Sequence, residues 1–138
     1  MAQTKRFKPS LLPATGIIEA LREDHGRILA LFRLYLAAPF DSRSALMQQI
    51  LRQIGMHLER EEEGLFETIR KSGPQGRTLV EYAETEHEEL KTTILELEHS
   101  EMDDDQAMDE LFEDMMQTVG AHFEAEERDL FPLAESAS

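Results

Sequence analysis

The chain carries one short segment twice, and each copy sets a histidine and a glutamate into the apolar face of a helix. The first copy is His57-Leu58-Glu59-Arg60-Glu61-Glu62-Glu63-Gly64-Leu65-Phe66 and the second is His122-Phe123-Glu124-Ala125-Glu126-Glu127-Arg128-Asp129-Leu130-Phe131, with six of the ten positions identical. Residues four apart lie on one helix face. Steps of three and four give Ile50, Ile54, His57, Glu61, Leu65 in one copy and Met115, Val119, His122, Glu126, Leu130 in the other, so the polar pairs fill turns of a core stripe. A fold that buries both stripes must also satisfy two imidazoles and two carboxylates inside its core.

The same periodicity organises the rest of the chain. From Thr15, an N-cap residue, the positions Ile18, Leu21, Ile28, Leu29, Phe32 and Leu36 follow a helical period to the stop at Ala38-Pro39, with His25 in the stripe. A second helix, capped by Asp41 or Ser42, carries Leu46, Ile50, Ile54, Leu65 and Ile69 to Ser72-Gly73-Pro74. The third begins near Thr78, where Thr78-Leu79-Val80-Glu81 has capping-box form, and runs Val80, Ala83, His87, Leu90, Ile94, Leu97. The acidic turn Asp103-Asp104-Asp105 caps a fourth, Leu111, Met115, Val119, His122, Glu126, Leu130, Leu133, in which Pro132 removes a hydrogen bond near the end. Four amphipathic helices with short connections predict an all-α fold, an up-down-up-down antiparallel four-helix bundle with a metal site in its core. Residues 1–14, with Pro9 and Pro13, read as a flexible N-terminal arm and residues 15–138 as the bundle.

The two hairpins are then alike: each contributes a lone histidine followed by HxxxE, with the lone histidines 62 residues apart and the HxxxE histidines 65 apart. One histidine on an apolar stripe is ordinarily a satisfied core residue, and one glutamate a solvated one. His25, His57, His87 and His122 in register with Glu61 and Glu126 are a different case. A buried ionised carboxylate costs several kcal/mol in effective desolvation unless a cation compensates it, and dications answer that cost for both. The chain has no cysteine, so the donors are nitrogen and oxygen, which favours iron, manganese or zinc. Each ion would hold two histidines and an oxygen from each bridging glutamate. His99, 12 residues after His87, lies about a third of a turn off the stripe and reads as a surface residue. Tyr35 and Tyr82 are expected in core or rim packing, and Met47, Met56, Met108, Met115 and Met116 as filler. Glu62 and Glu127 would serve as acid or base only if turned inward; a solvated face is the expectation, and no catalytic group beyond the metal centre is identified.

A formal charge of −15 argues against nucleic acid and anionic membrane surfaces as partners. No segment approaches the roughly 20 apolar residues of a membrane span, and the first fifteen residues lack the apolar run of a secretory signal. The expectation is a cytoplasmic protein, a monomer or weak homodimer, with neither nucleic acid nor membrane as partner.

The order His25, His57-x-x-x-Glu61, His87, His122-x-x-x-Glu126, with Asp24 before the first histidine and Leu-Phe after each HxxxE segment, resembles the hemerythrin-like, HHE cation-binding family over roughly residues 15 to 134. The resemblance implies a bundle around a non-haem di-iron centre with His25, His57, His87 and His122 as terminal ligands and Glu61 and Glu126 bridging; zinc or manganese are substitutes, and the partner it implies is a small diatomic or peroxide ligand. Oxygen-carrying members place a second histidine four residues after the third helix's first, where this chain has Lys91. They also space the last carboxylate five residues from its histidine, which would select Glu127; the four-residue spacing that keeps one face selects Glu126. The pattern is similar to the H-HxxxE-H-HxxxE subgroup, for which peroxide decomposition has been proposed. Reversible oxygen transport is then disfavoured, and two readings stand: catalase-like peroxide or related oxygen and nitric oxide chemistry, or non-enzymatic binding and sensing of iron, oxygen or nitric oxide. A bundle stabilised by zinc is a third. A ferritin-like oxidase is set aside because its Glu-x-x-His pairs fall on one helix here, as Glu84/His87 and Glu96/His99.

Overall fold

The computed structural model describes residues 14–99 and 105–137, so the arm assigned to residues 1–14 and the predicted caps Asp103 and Asp104 lie outside the described residues, apart from Ala14. Six α-helical segments follow in order: α1 (Ala14–Ala37), α2 (Arg43–Gly64), α3 (Phe66–Arg70), α4 (Pro74–Glu98), α5 (Asp105–Ala125) and α6 (Phe131–Ala137). A 3-10 turn (Phe40–Ser42) precedes α2 and a π turn (Glu126–Leu130) joins α5 to α6. No strand occurs among the described residues. The expected all-helical class holds. The four long helices α1, α2, α4 and α5 pack α1 on α2, α2 on α4, α4 on α5 and α5 on α1.

The apolar stripes meet in two separate clusters. One gathers Ile28 and Tyr35 of α1, Ile50 to Leu58 of α2, Leu90, Ile94 and Leu97 of α4, and Phe112 to Phe123 of α5. The other gathers Ile17, Ile18 and Leu21 of α1, Leu65 and Phe66 beyond α2, Val80 and Ala83 of α4, and Leu130, Phe131 and Ala134 beyond α5. His25 and His87 fall between the contributions of α1 and α4 to the two clusters, and His57 and His122 lie near the ends of the α2 and α5 contributions to the first cluster, before the chain enters the second. Burying an Ile, Leu or Phe side chain contributes about 1.5–3 kcal/mol, so these clusters oblige the chain to carry a polar layer through its middle.

Several local expectations are corrected. The second and fourth predicted helices are each interrupted just after their HxxxE glutamate: α2 ends at Gly64 and Leu65 leaves helical geometry (φ −126°, ψ −43°), while the second copy widens into the π turn from Glu126 to Leu130. Gly64 is a poor helix former that loses more backbone freedom than any other residue. In the second copy Pro132 clashes with the carbonyl four residues before it in a regular helix, and the wide turn just upstream accommodates it. Thr15 lies inside α1 rather than capping it. Ser42 holds the N-cap position of α2 but makes no side-chain capping bond. The Thr78 capping box is not used, because α4 starts a turn earlier with Gly73 as N-cap and Pro74 at its first position. Leu36 is 45% exposed, and Tyr35 takes its place in the core. Seven residues beyond Ile28 come back to one face after two turns, whereas eight overshoot.

The turn before α4 depends on two glycines. Gly73 has φ +136°, a conformation that costs any other residue, and a Cβ at Gly76 would collide with the Ile69 carbonyl and the Ser72 hydroxyl. Gly76→Ala is expected to lose about 1–3 kcal/mol, since the backbone oxygen has nowhere to retreat. Gly55→Ala, inside α2 with open space around it, is expected to gain about 0.5–1 kcal/mol. Urea unfolding of both variants checks the pair; equal effects would contradict the packing described.

Candidate metal centre

The six polar side chains of the stripes converge. His57 and Glu61 are 0% exposed, and His25, His87, His122 and Glu126 are buried with them. Their donor atoms form two overlapping groups, His25, His57, Glu61, Glu126 and Glu61, His87, His122, Glu126, each with all ligand atoms within 4.8 Å of one another. The two carboxylates belong to both groups. Glu61 sets Oε2 3.2 Å from His57 Nε2 and Oε1 2.9 Å from His87 Nε2. Glu126 sets Oε1 2.9 Å from His25 Nε2 and Oε2 2.9 Å from His122 Nε2. Glu126, not Glu127, occupies the cluster.

Four of these atoms, His57 Nε2, Glu61 Oε2, His122 Nε2 and Glu126 Oε2, are buried without a hydrogen bond of acceptable geometry. Buried polar groups are nearly always paired, and here the atoms approach one another while aiming at common points between them. A donor set of imidazole nitrogen and carboxylate oxygen suits borderline dications, so the layer fits metal ions. Without metal, protons hold the layer together. Burial disfavours the charged His57 ring, but Asp24, Glu126 and Glu61 outweigh it and hold its pKa up at about 11; Glu126 and Glu61 hold His122 at about 11 against the same effect. Burial would raise Glu61, yet its contacts with Glu126, His122, His57 and His87 keep its carboxyl well below the ordinary value.

Each histidine is also oriented from behind by a carboxylate on its other nitrogen. His25 Nδ1 lies 2.6 Å from Glu127, His57 Nδ1 3.0 Å from Asp24, His87 Nδ1 2.8 Å from Glu62 and His122 Nδ1 2.6 Å from Glu86. An ionised carboxylate only accepts, so each Nδ1 carries the hydrogen and each Nε2 is directed at the cluster. Such partners fix the tautomer and raise ligand basicity. Cations back two of them: Arg60 donates to both oxygens of Asp24, Arg27 also bonds Asp24, and Lys91 Nζ lies 2.8 Å from Glu62. Asp24 and Glu62 both sit below their ordinary pKa despite partial burial, which pushes the other way, because His57 and Arg60 hold the first and Lys91 and His87 the second.

The expected solvated face is corrected for Glu62, which is half-buried, while Glu127 is exposed as expected and still bonds His25. Both reach an imidazole from positions one residue beyond the stripe, where a glutamate is long enough to meet a ring on the neighbouring helix. Glu86 was not singled out by the sequence; its position directly before His87 is the signal that points to it. Lys91 turns to Glu62, Tyr35 is buried with its hydroxyl donated to Asp109, and Tyr82 is 65% exposed. His99 is on the surface, as its phase requires. Met47, Met115 and Met116 are core, while Met56 is 50% exposed.

Residues 16–134 match the family model of the hemerythrin HHE cation binding domain. Neither the comparison with curated proteins nor that with solved structures finds a match.

The pKa shifts give the metal-free protein a defined pH response. Folded values of about 11 against an ordinary 6.5 for His57 and His122 mean that their stabilisation is full below pH 6.5 and is lost as pH rises toward 11. Glu61 is lowered from 4.5, so its share is present above that pH and is lost in acid. The urea midpoint is expected to fall on both sides of this window, and a saturating dication to flatten the alkaline fall by using the neutral rings. A metal-free midpoint unchanged from pH 7 to 10 would contradict the pairing.

Proposed function

The chain belongs to the hemerythrin HHE cation-binding family, and from that premise we propose that it is a non-haem di-iron protein acting on hydrogen peroxide or on oxygen or nitric oxide. The observation that carries the reading is the sharing of both carboxylates between two donor groups, which suits a pair of ions rather than one. His25 and His57 would hold one ion and His87 and His122 the other, with Glu61 and Glu126 available to both. The helices form an up-down-up-down antiparallel bundle, a reading supported by the order in which they contribute to the two apolar clusters: α1 and α4 pass from one to the other, and α2 with α3 and α5 with α6 pass back.

Iron bound in this layer would supply a redox couple at each ion. In peroxide decomposition one molecule is oxidised to oxygen and a second is reduced to water, so no outside reductant is consumed. The chain's own residues hold and orient: Asp24, Glu62, Glu86 and Glu127 each engage an Nδ1 and would keep the four Nε2 atoms available to the ions. A second reading, binding or sensing without turnover, is favoured by one feature: Glu62 and Glu127 are already engaged with histidines, so neither stands free as a proton carrier. The absence of cysteine and the charge of −15 support a cytoplasmic setting and a small-molecule partner, with the chain a monomer or weak homodimer.

Metal analysis of the native protein with a visible spectrum tests the reading. Two irons per chain with the charge-transfer absorption of a coupled ferric pair are expected; zinc or an empty site would sink it. Oxygen release on adding peroxide, lost in His57→Ala, is the catalytic outcome, and slow stoichiometric bleaching is the outcome for a sensor.

A further inference from the structure

Resting on the two-ion reading above, we propose that Arg60 and Lys91 are positioning residues of the metal layer, each acting through a carboxylate on one histidine of a different ion and holding down that ring's donor strength. Arg60 Nη1 lies 2.7 and 2.9 Å from the two oxygens of Asp24, whose Oδ2 meets His57 Nδ1. Lys91 Nζ lies 2.9 and 2.8 Å from the two oxygens of Glu62, whose Oε2 meets His87 Nδ1. His57 belongs to one donor group and His87 to the other. The remaining rings are backed differently: among the described residues, Glu127 behind His25 and Glu86 behind His122 pair with no Arg or Lys.

The two halves of the repeat carry the same division. Three residues after His57 stands Arg60, but three after His122 stands Ala125; four after His87 stands Lys91, but four after His25 stands Leu29. The difference therefore runs across the layer rather than between the ions. Both cation-backed rings lie nearest Glu61, at 3.2 and 2.9 Å, and both others lie nearest Glu126, at 2.9 Å. A carboxylate on Nδ1–H pushes electron density into the ring and strengthens Nε2 as a donor. A cation on that carboxylate withdraws part of this density and also repels an ion beyond the ring. Arg60 has the larger effect, because Asp24 is 3% exposed while the Lys91 side chain is 40% exposed and screened by solvent.

Cobalt(II) titration of the metal-free chain, followed by visible absorbance, tests this. Arg60→Gln and Lys91→Gln keep a hydrogen-bond donor and lose the charge; they are expected to tighten cobalt(II) binding about tenfold and about threefold. Arg60→Lys and Lys91→Arg, which keep the charge, are expected to stay within about twofold of the native protein. Glu127→Gln, which weakens a ring with no cation behind it, is expected to loosen binding about tenfold. In the iron-loaded protein the reduction potential falls in Arg60→Gln, since stronger donors favour the ferric state, and rises in Glu127→Gln. Opposite signs are the signature, because loosened packing would weaken binding in every variant. Lys91→Gln, at a half-exposed side chain, carries the test if Arg60→Gln does not fold. Weaker or unchanged binding in the two charge-removing variants would overturn the proposal. The expected order of cobalt(II) affinities in a chain that takes up no iron would uphold it and sink the di-iron reading alone.

Discussion

Two carboxylates buried side by side, Glu61 and Glu126, set the terms for everything else in this molecule. Moving either from water into an apolar core costs several kcal/mol, and their mutual repulsion adds to it. The fold answers with four imidazoles whose Nε2 atoms surround the pair, and with two positions between them where cations fit. Protons on His57 and His122 offset the charge in the metal-free protein; metal ions replace them in the loaded one. The layer is stable only while something positive occupies it.

The packing is arranged around that requirement. The two apolar clusters lie on either side of the polar layer; α1 and α4 contribute to both, and α2 and α5 reach the second through the segments that follow them. Neither cluster alone would fix the azimuth of a histidine ring. That is done by Asp24, Glu62, Glu86 and Glu127 from outside, two of them held in turn by Arg60, Arg27 and Lys91. The acidic character of the chain thereby acquires a specific use beside solubility: part of it is placed to hold imidazole nitrogens. The departures from α geometry at Leu65 and across Glu126–Leu130 coincide at Leu65 and Leu130, equivalent positions of the repeat within one turn of the shared glutamates, where backbone irregularity often accompanies a functional site.

Most of the fold and the inner layer were legible in the residues. The apolar stripes through Ile50 and Ile54 and through Met115 and Val119 locate the helices, and the intervals that place His57, Glu61, His122 and Glu126 in those stripes follow from 3.6 residues per turn. The phase that excludes His99 follows from the same number. The outer carboxylates were not legible, because Glu62, Glu86 and Glu127 look like any residue on a solvated face until the neighbouring helix is in place. Thr15 and Thr78 misled for a related reason: capping residues are frequent, and the helix starts were settled by Gly73, Pro74 and the surrounding packing.

The sequence by itself determined which side chains enter the core, since helical periodicity is a local property of consecutive residues. It also determined the donor chemistry, through the absence of cysteine. Only the tertiary structure decided that both glutamates are shared between two groups, that each imidazole has a carboxylate behind it, and that Lys91 faces outward to Glu62 rather than into the cluster. Those facts depend on distances between helices that are far apart in the chain, and no local pattern encodes them.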